Sequence, residues 1–163
     1  MDIADFIKRE IAHNGKQTKS LPNIFIVHGH DTKSLSELKK YIQNTLKLGQ
    51  PIVLKEMKSD GLTVIEKFER YAENIDIAFV LITPDDFISV QSNKEVYFQA
   101  RPNVIFELGY LMGLLNRRTG RVITLVNDRT RMFSDLAGLI NIDISEGILR
   151  ASENIKTELA DWL

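Results

Sequence analysis

Apolar residues along this chain fall into two alternating patterns. Unbroken β-prone runs occur at 23–27, 52–54, 77–82, 122–126 and 142–144, each too short for a helix. Between them, apolar residues recur at three- and four-residue spacing: Leu35, Leu38, Ile42 and Leu46; Ile65, Phe68 and Ala72; Val104, Leu108, Leu111, Met112 and Leu115; Ile155, Leu159 and Trp162. That period predicts four helices, each with those residues inward. The third starts at Pro102, where proline gives up an N–H that would be unpaired anyway. Apolar residues also fill its gaps, so it is expected to be buried on most sides, with the carboxylate of Glu107 in its middle.

The polar residues punctuate this pattern. His28-Gly29-His30-Asp31 ends the first strand in a tight turn, and Asp31 or Thr32 can cap the helix that follows. Gly49 stops that helix, and Thr83-Pro84-Asp85-Asp86 is a turn by composition. A polar loop then runs through Gln99, longer than an ordinary connection and so suspect as functional. Ser134 and Asp135 are placed to cap a brief turn, and Ser152 to cap the last helix.

Short apolar strands alternating with helices predict an α/β fold: one parallel sheet with helices on both faces. Right-handed crossovers leave few topologies, of which the flavodoxin-like order 2-1-3-4-5 is favoured. Residues 1–22 stand apart, with a short stripe of Ile3, Phe6, Ile7 and Ile11 and then a polar stretch broken by Gly15, Ser20 and Pro22. They are expected to form an N-terminal helix and linker, or a junction to a neighbouring domain, with 23–163 as the domain proper.

At 163 residues, 44% hydrophobic and 26% charged, the chain suits one globular domain. The net charge of −1, with basic residues scattered, argues against nucleic-acid and polybasic membrane partners. Without cysteine there is no disulfide, zinc-thiolate site or thiol nucleophile. Asp2 and Asp5 follow Met1 in place of a basic secretory n-region, and no apolar run reaches membrane-spanning length, so the cytoplasm is the expected compartment.

In such a sheet the ligand crevice lies beyond the carboxyl ends of the first and third strands. Three polar clusters converge there: His28, Gly29, His30 and Asp31; Thr83, Asp85 and Asp86; and Arg101, Asn103 and Glu107 at the start of the third helix. The loop Lys58-Ser59-Asp60-Gly61 is near enough to serve as a lid. Taken singly, a turn glycine, a capping histidine or a turn aspartate is commonplace. A lone carboxylate in an apolar helix must be paired, hydrogen-bonded or pKa-shifted, so Glu107 is either a partner of Arg101 or another cation, or held for chemistry. No phosphate-binding P-loop, G-x-G-x-x-G fingerprint, H-E-x-x-H or G-x-S-x-G motif is present. His28 and His30 have no third metal ligand nearby in sequence, and the acidic pair of a receiver domain is missing.

Four segments occur in a telling order: Phe25-Ile26-Val27-His28-Gly29-His30-Asp31, Gly61-Leu62-Thr63-Val64-Ile65-Glu66-Lys67-Phe68-Glu69, Val80-Leu81-Ile82-Thr83-Pro84-Asp85-Asp86, and Ala100-Arg101-Pro102-Asn103-Val104-Ile105-Phe106-Glu107-Leu108-Gly109. Over about residues 23 to 145 the chain resembles the bacterial TIR-like family of predicted nucleotide-binding proteins, effector domains of cyclic-nucleotide-activated antiphage systems such as TIR–STING fusions. It departs from that family at Pro102, where a glutamine is more usual, and in an abbreviated region after Val126. The resemblance implies a TIR fold and NAD⁺ nucleosidase activity, with NAD⁺ as substrate and neither cofactor nor metal. It implies that Glu107 is the catalytic glutamate. Substrate contacts are then expected from His28, Gly29, His30, Asp31, Asp60, Thr83, Asp85, Arg101 and Asn103. Arg101 or helix-start amides would hold the pyrophosphate, and His30 and Asp31 the ribose or nicotinamide. It further implies self-association through TIR–TIR contacts and a cyclic-nucleotide sensor on a neighbouring domain or chain. Two alternatives stand beside it: a non-catalytic nucleotide-binding or interaction module, and a nucleoside-type glycosidase or transferase.

Overall fold

A strand made wholly of β-branched, aromatic and aliphatic residues has no polar face to offer water, so it is stable only when covered on both sides. In a computed structural model, which describes residues 20–115, 121–133, 139 and 141–163, two such strands are central. β1 (Ile24–Val27) and β3 (Ile77–Ile82) pair in parallel, Phe25 beside Ala78 and Val27 beside Val80. β2 (Ile52–Val53) flanks β1. Two more strands join beyond β3: β6 (Val122–Val126), then β7 (Asn141–Asp143) at the edge. The order β2-β1-β3-β6-β7 is the expected 2-1-3-4-5 arrangement of five parallel strands. The helix expected within 1–22 and the turn expected at Ser134 and Asp135 fall outside the described residues.

The pleat sends alternate side chains to two separate cores. Ile24, Ile26, Ile77, Phe79, Leu81, Ile123 and Leu125 pack under α1 (Thr32–Lys40) and α4 (Ser152–Glu158), with Leu35, Leu38, Ile42, Ile155 and Leu159. Phe25, Val27, Ala78, Val80, Ile82 and Val126 pack under α2 (Val64–Ala72) and α3 (Pro102–Leu114), with Phe68, Ala72, Val104, Leu108 and Leu111. Thus α2 and α3 share one face of the sheet, and the Phe68 ring meets Phe25 and Tyr110 edge-on at 5.7 and 5.1 Å.

Five local expectations need correction. The polar loop before α3 is an antiparallel hairpin, β4 (Asp86–Val90) and β5 (Glu95–Gln99), with Phe87 opposite Phe98. Its β-prone residues, Phe87, Ile88, Val96, Tyr97 and Phe98, were masked by the acidic and amide residues around them. Arg131 stacks 4.4 Å from the Tyr97 ring and pairs with Glu95 at 2.7 Å. Next, α3 is buried on one side only: Phe106 is 56% exposed, and Asn103, Gly109, Gly113 and Leu114 share its open face. In α2, Ile65 points outward; Phe68 fixes the rotation of the helix, which turns Lys67 inward instead. The first helix passes at Tyr41 into a π-helical turn, Tyr41–Thr45, before Gly49. Lastly, Ala151, not Ser152, occupies the N-cap of α4, because a turn bonded from Ala151 N–H to the Ile148 carbonyl delivers the chain there.

The start of α2 is secured by a capping box. Glu66 N–H donates to Thr63 Oγ1 at 3.3 Å, and Thr63 N–H to Glu66 Oε2 at 2.8 Å. Thr63→Ala removes the cap and is expected to cost about 1 kcal/mol in chemical denaturation.

Candidate functional site

β1 ends at Val27, and the chain leaves the sheet through His28, Gly29 and His30. This turn is built against the end of β3. Thr83, fully buried, donates its hydroxyl to Asp85 Oδ1 at 3.0 Å, and the same oxygen accepts His30 N–H at 2.8 Å. Asp85 Oδ2 is buried with no hydrogen-bond partner among the described residues. It lies so close over Gly29 that a Cβ there would sit 2.5 Å from Asp85 Cγ. The glycine is therefore required by the aspartate, a close approach that only a hydrogen side chain permits. Beside them the His28 ring makes a 2.9 Å contact with the Gly29 carbonyl, which can only accept, so Nδ1 carries the proton there.

Above this turn opens a cleft of about 390 Å³, at the carboxyl end of β1. His28, Gly29, His30 and Ile26 line it from β1; Arg101 and Glu107 from α3; Leu54, Lys55, Ser59, Leu62, Val64 and Lys67 from the segment after β2 and the first turns of α2. Its size falls in the range of small-molecule sites, ~300–1,000 Å³.

Glu107 is half-buried, and no ion pair or hydrogen bond reaches its carboxyl group among the described residues. Burial pushes its pKa up to about 7. Pairing with Arg101, which the sequence left open, is not what the fold provides. A half-buried acid lining a cleft with no partner among the described residues is a candidate for a group held for chemistry.

Of the residues singled out from sequence, His28, Gly29, His30, Arg101 and Glu107 thus meet in one cleft. Thr83 and Asp85 stand behind its wall as the support for His30. Asp31 is engaged as the N-cap of α1, accepting Ser34 N–H at 2.9 Å and the Ser34 hydroxyl at 2.7 Å. Asp60 lies on an exposed turn at φ +49° and pairs with Arg70 at 3.3 Å. Asn103 is exposed on α3 and does not line the cleft. Lys55 and Lys67 line it without having been singled out. The signal for Lys67 was its place beside Phe68, one turn inside a helix whose capping box opens at the cleft. No three His, Asp or Glu side chains cluster as a metal ion would require among the described residues, and no described helix is long and apolar enough to cross a membrane.

Residues 23–146 match the family model of the CAP12/Pycsar effector protein, TIR domain. The chain belongs to this TIR-domain family. It is 39% identical over 124 residues to YuaY of Escherichia coli (strain K12), covering 76% of this chain and 40% of that protein. It is 31% identical over 141 residues to Protein tirC of Dictyostelium discoideum, covering 81% of this chain and 69% of that one. To the Pycsar effector protein PaPycTIR of Pseudomonas aeruginosa it is 36% identical over 78 residues, 48% of this chain and 25% of that protein. The stretches matched in YuaY and PaPycTIR are thus 40% and 25% of those proteins, so the chain spans only part of their length.

Proposed function

We propose that this TIR domain is an NAD⁺ nucleosidase, acting in the cytoplasm as an effector in cyclic-nucleotide-linked antiphage defence. The observation that carries the reading is Glu107: a carboxyl group without a counter-ion among the described residues, half-buried in a cleft at the carboxyl end of β1, in a TIR-domain chain.

Cleaving the nicotinamide–ribose bond sends its electron pair to the pyridinium nitrogen. Nicotinamide therefore leaves neutral and needs no general acid. Positive charge develops on the ribose, as in glycoside hydrolysis. The Glu107 carboxylate supplies opposing charge that strengthens as the oxocarbenium forms, and it accepts hydrogen bonds from ribose hydroxyls. Water then adds at the anomeric carbon and loses a proton, giving ADP-ribose; attack by a base nitrogen of the same molecule gives a cyclic form. The ionised carboxylate is the working form, so activity rises with pH as Glu107 titrates.

Self-association through TIR–TIR contacts, driven by a cyclic-nucleotide sensor on a neighbouring domain or chain, would complete or order the site. The test is to incubate the protein, alone and fused to an oligomerising partner, with NAD⁺ and separately with nucleosides and deoxynucleosides, following free base by chromatography. Nicotinamide from NAD⁺ in the assembled protein is expected. Binding without release in both states points to a non-catalytic module, and release from nucleosides instead points to a nucleoside glycosidase.

A further inference from the structure

We propose that Lys67 anchors an anion subsite in this cleft, holding with Lys55 and Arg101 the diphosphate bridge of a dinucleotide. Lys67 is 8% exposed, and its ammonium has one neutral neighbour, the Ser59 hydroxyl at 3.5 Å. Burying a charged amine without a counter-ion is costly, so its fold position calls for an anion that the described residues do not supply. Acidic side chains nearby are already engaged elsewhere: Glu56 with Lys39 at 2.6 Å, Asp60 with Arg70 at 3.3 Å, and Glu66 in the capping box of its own helix. Lys55 and Arg101 line the same cleft, and neither makes an ion pair among the described residues. Among the described residues, Lys55, Lys67 and Arg101 thus line the cavity without an ion pair, and its lining carboxyl is Glu107. Such a cleft is charge-complementary to a ligand with two negative charges.

The sheet arranges this economically. β1 supplies the floor. The β2 side brings Lys55, Ser59 and Lys67, and α3 brings Arg101 and Glu107, so a ligand in the cleft meets the reactive carboxyl and the cations at once. The inference rests on reading the cleft as a dinucleotide site, but not on turnover.

The test measures binding of inorganic pyrophosphate and of ADP-ribose, neither of which carries the scissile bond, by calorimetry and by the rise in Tm. Wild-type protein is expected to bind both. Lys67→Met should weaken both by about ten- to hundredfold, the loss of one charge-assisted hydrogen bond. Lys67→Arg, which restores the charge, should recover most of that loss. If Lys67→Met fails to fold, Lys67→Gln, which keeps a donor to Ser59, takes its place. Folded Lys67→Met protein that binds both ligands as tightly as wild type overturns the subsite, as does wild-type protein that binds neither. Nicotinamide release from NAD⁺ with binding unchanged in Lys67→Met refutes the subsite and leaves the proposed function standing. Pyrophosphate binding that depends on Lys67, without cleavage in any assembly, does the reverse.

Discussion

Gly29→Ala is expected to destabilise the protein by about 2–4 kcal/mol and lower Tm by roughly 5–15 °C. The added Cβ would lie 2.5 Å from Asp85 Cγ and 2.9 Å from Asp85 Oδ1, well inside contact distance. The carboxylate cannot simply swing away. Oδ1 is held by His30 N–H at 2.8 Å and the Thr83 hydroxyl at 3.0 Å, and the Asp85 backbone N–H is bonded to Gln99 at 3.1 Å. Something must give: either those bonds break, each worth about 1.5–3 kcal/mol to a charged acceptor, or the end of β1 moves off the cleft. Both routes displace His28 and His30, so ligand binding should weaken along with stability. Denaturant titration of Gly29→Ala, Asp85→Ala and the double variant checks the cause. The two changes should be strongly non-additive, with Gly29→Ala costing far less once the carboxylate is gone. A Gly29→Ala loss that is the same in both backgrounds would show that the close approach to Asp85 is not its origin.

The second large effect concerns Glu107. Glu107→Gln is expected to cut nicotinamide release by about 10²–10³-fold, the scale on which one electrostatic stabiliser of a developing charge counts. The same substitution should make the protein more stable at neutral pH. With its folded pKa raised from 4.5 to about 7, this carboxyl binds a proton more tightly folded than unfolded. Its favourable contribution is complete below about pH 4.5 and is lost as pH rises to about 7. For a half-buried group, partly screened by water, that loss amounts to about 1–2 kcal/mol. Glu107→Gln removes the titration, so its advantage in denaturant should be small near pH 4.5 and full by pH 8. A carboxylate serving as a structural ion-pair partner would behave oppositely, and its glutamine variant would lose stability at neutral pH.

How much of this was legible in the sequence follows from which contacts are local. β1, β3 and β6 are apolar runs that only a doubly covered sheet can accommodate, so their existence, order and helix layers could be read directly. The turn at His28–His30 and the Arg101–Glu107 entry to α3 could be placed at the crevice because topology alone brings them there. The β4–β5 hairpin could not, since its apolar residues are interrupted by polar ones and it forms a two-stranded sheet of its own, tied elsewhere by a single bridge from Phe98 to Thr130. The open face of α3 was equally hidden, because apolar Phe106 and Leu114 read as core although both are exposed. Gly29 against Asp85 is a tertiary contact between segments distant in sequence, which no local pattern announces. Lys67 is inward because Phe68 locks the rotation of α2, a packing decision made by Phe25 and Tyr110.

The most direct measurement is kcat/KM for nicotinamide release from NAD⁺ as a function of pH, in oligomerised wild-type protein and in Glu107→Gln. The wild-type value should rise with pH to a plateau through a midpoint near the free carboxyl's pKa of about 7. The midpoint of kcat should be lower, because the cationic nicotinamide ring favours the ionised carboxylate in the bound complex. Glu107→Gln should be lower by about 10²–10³-fold and lack that titration. Release by Glu107→Gln at the wild-type rate, with the same pH profile, would contradict the account.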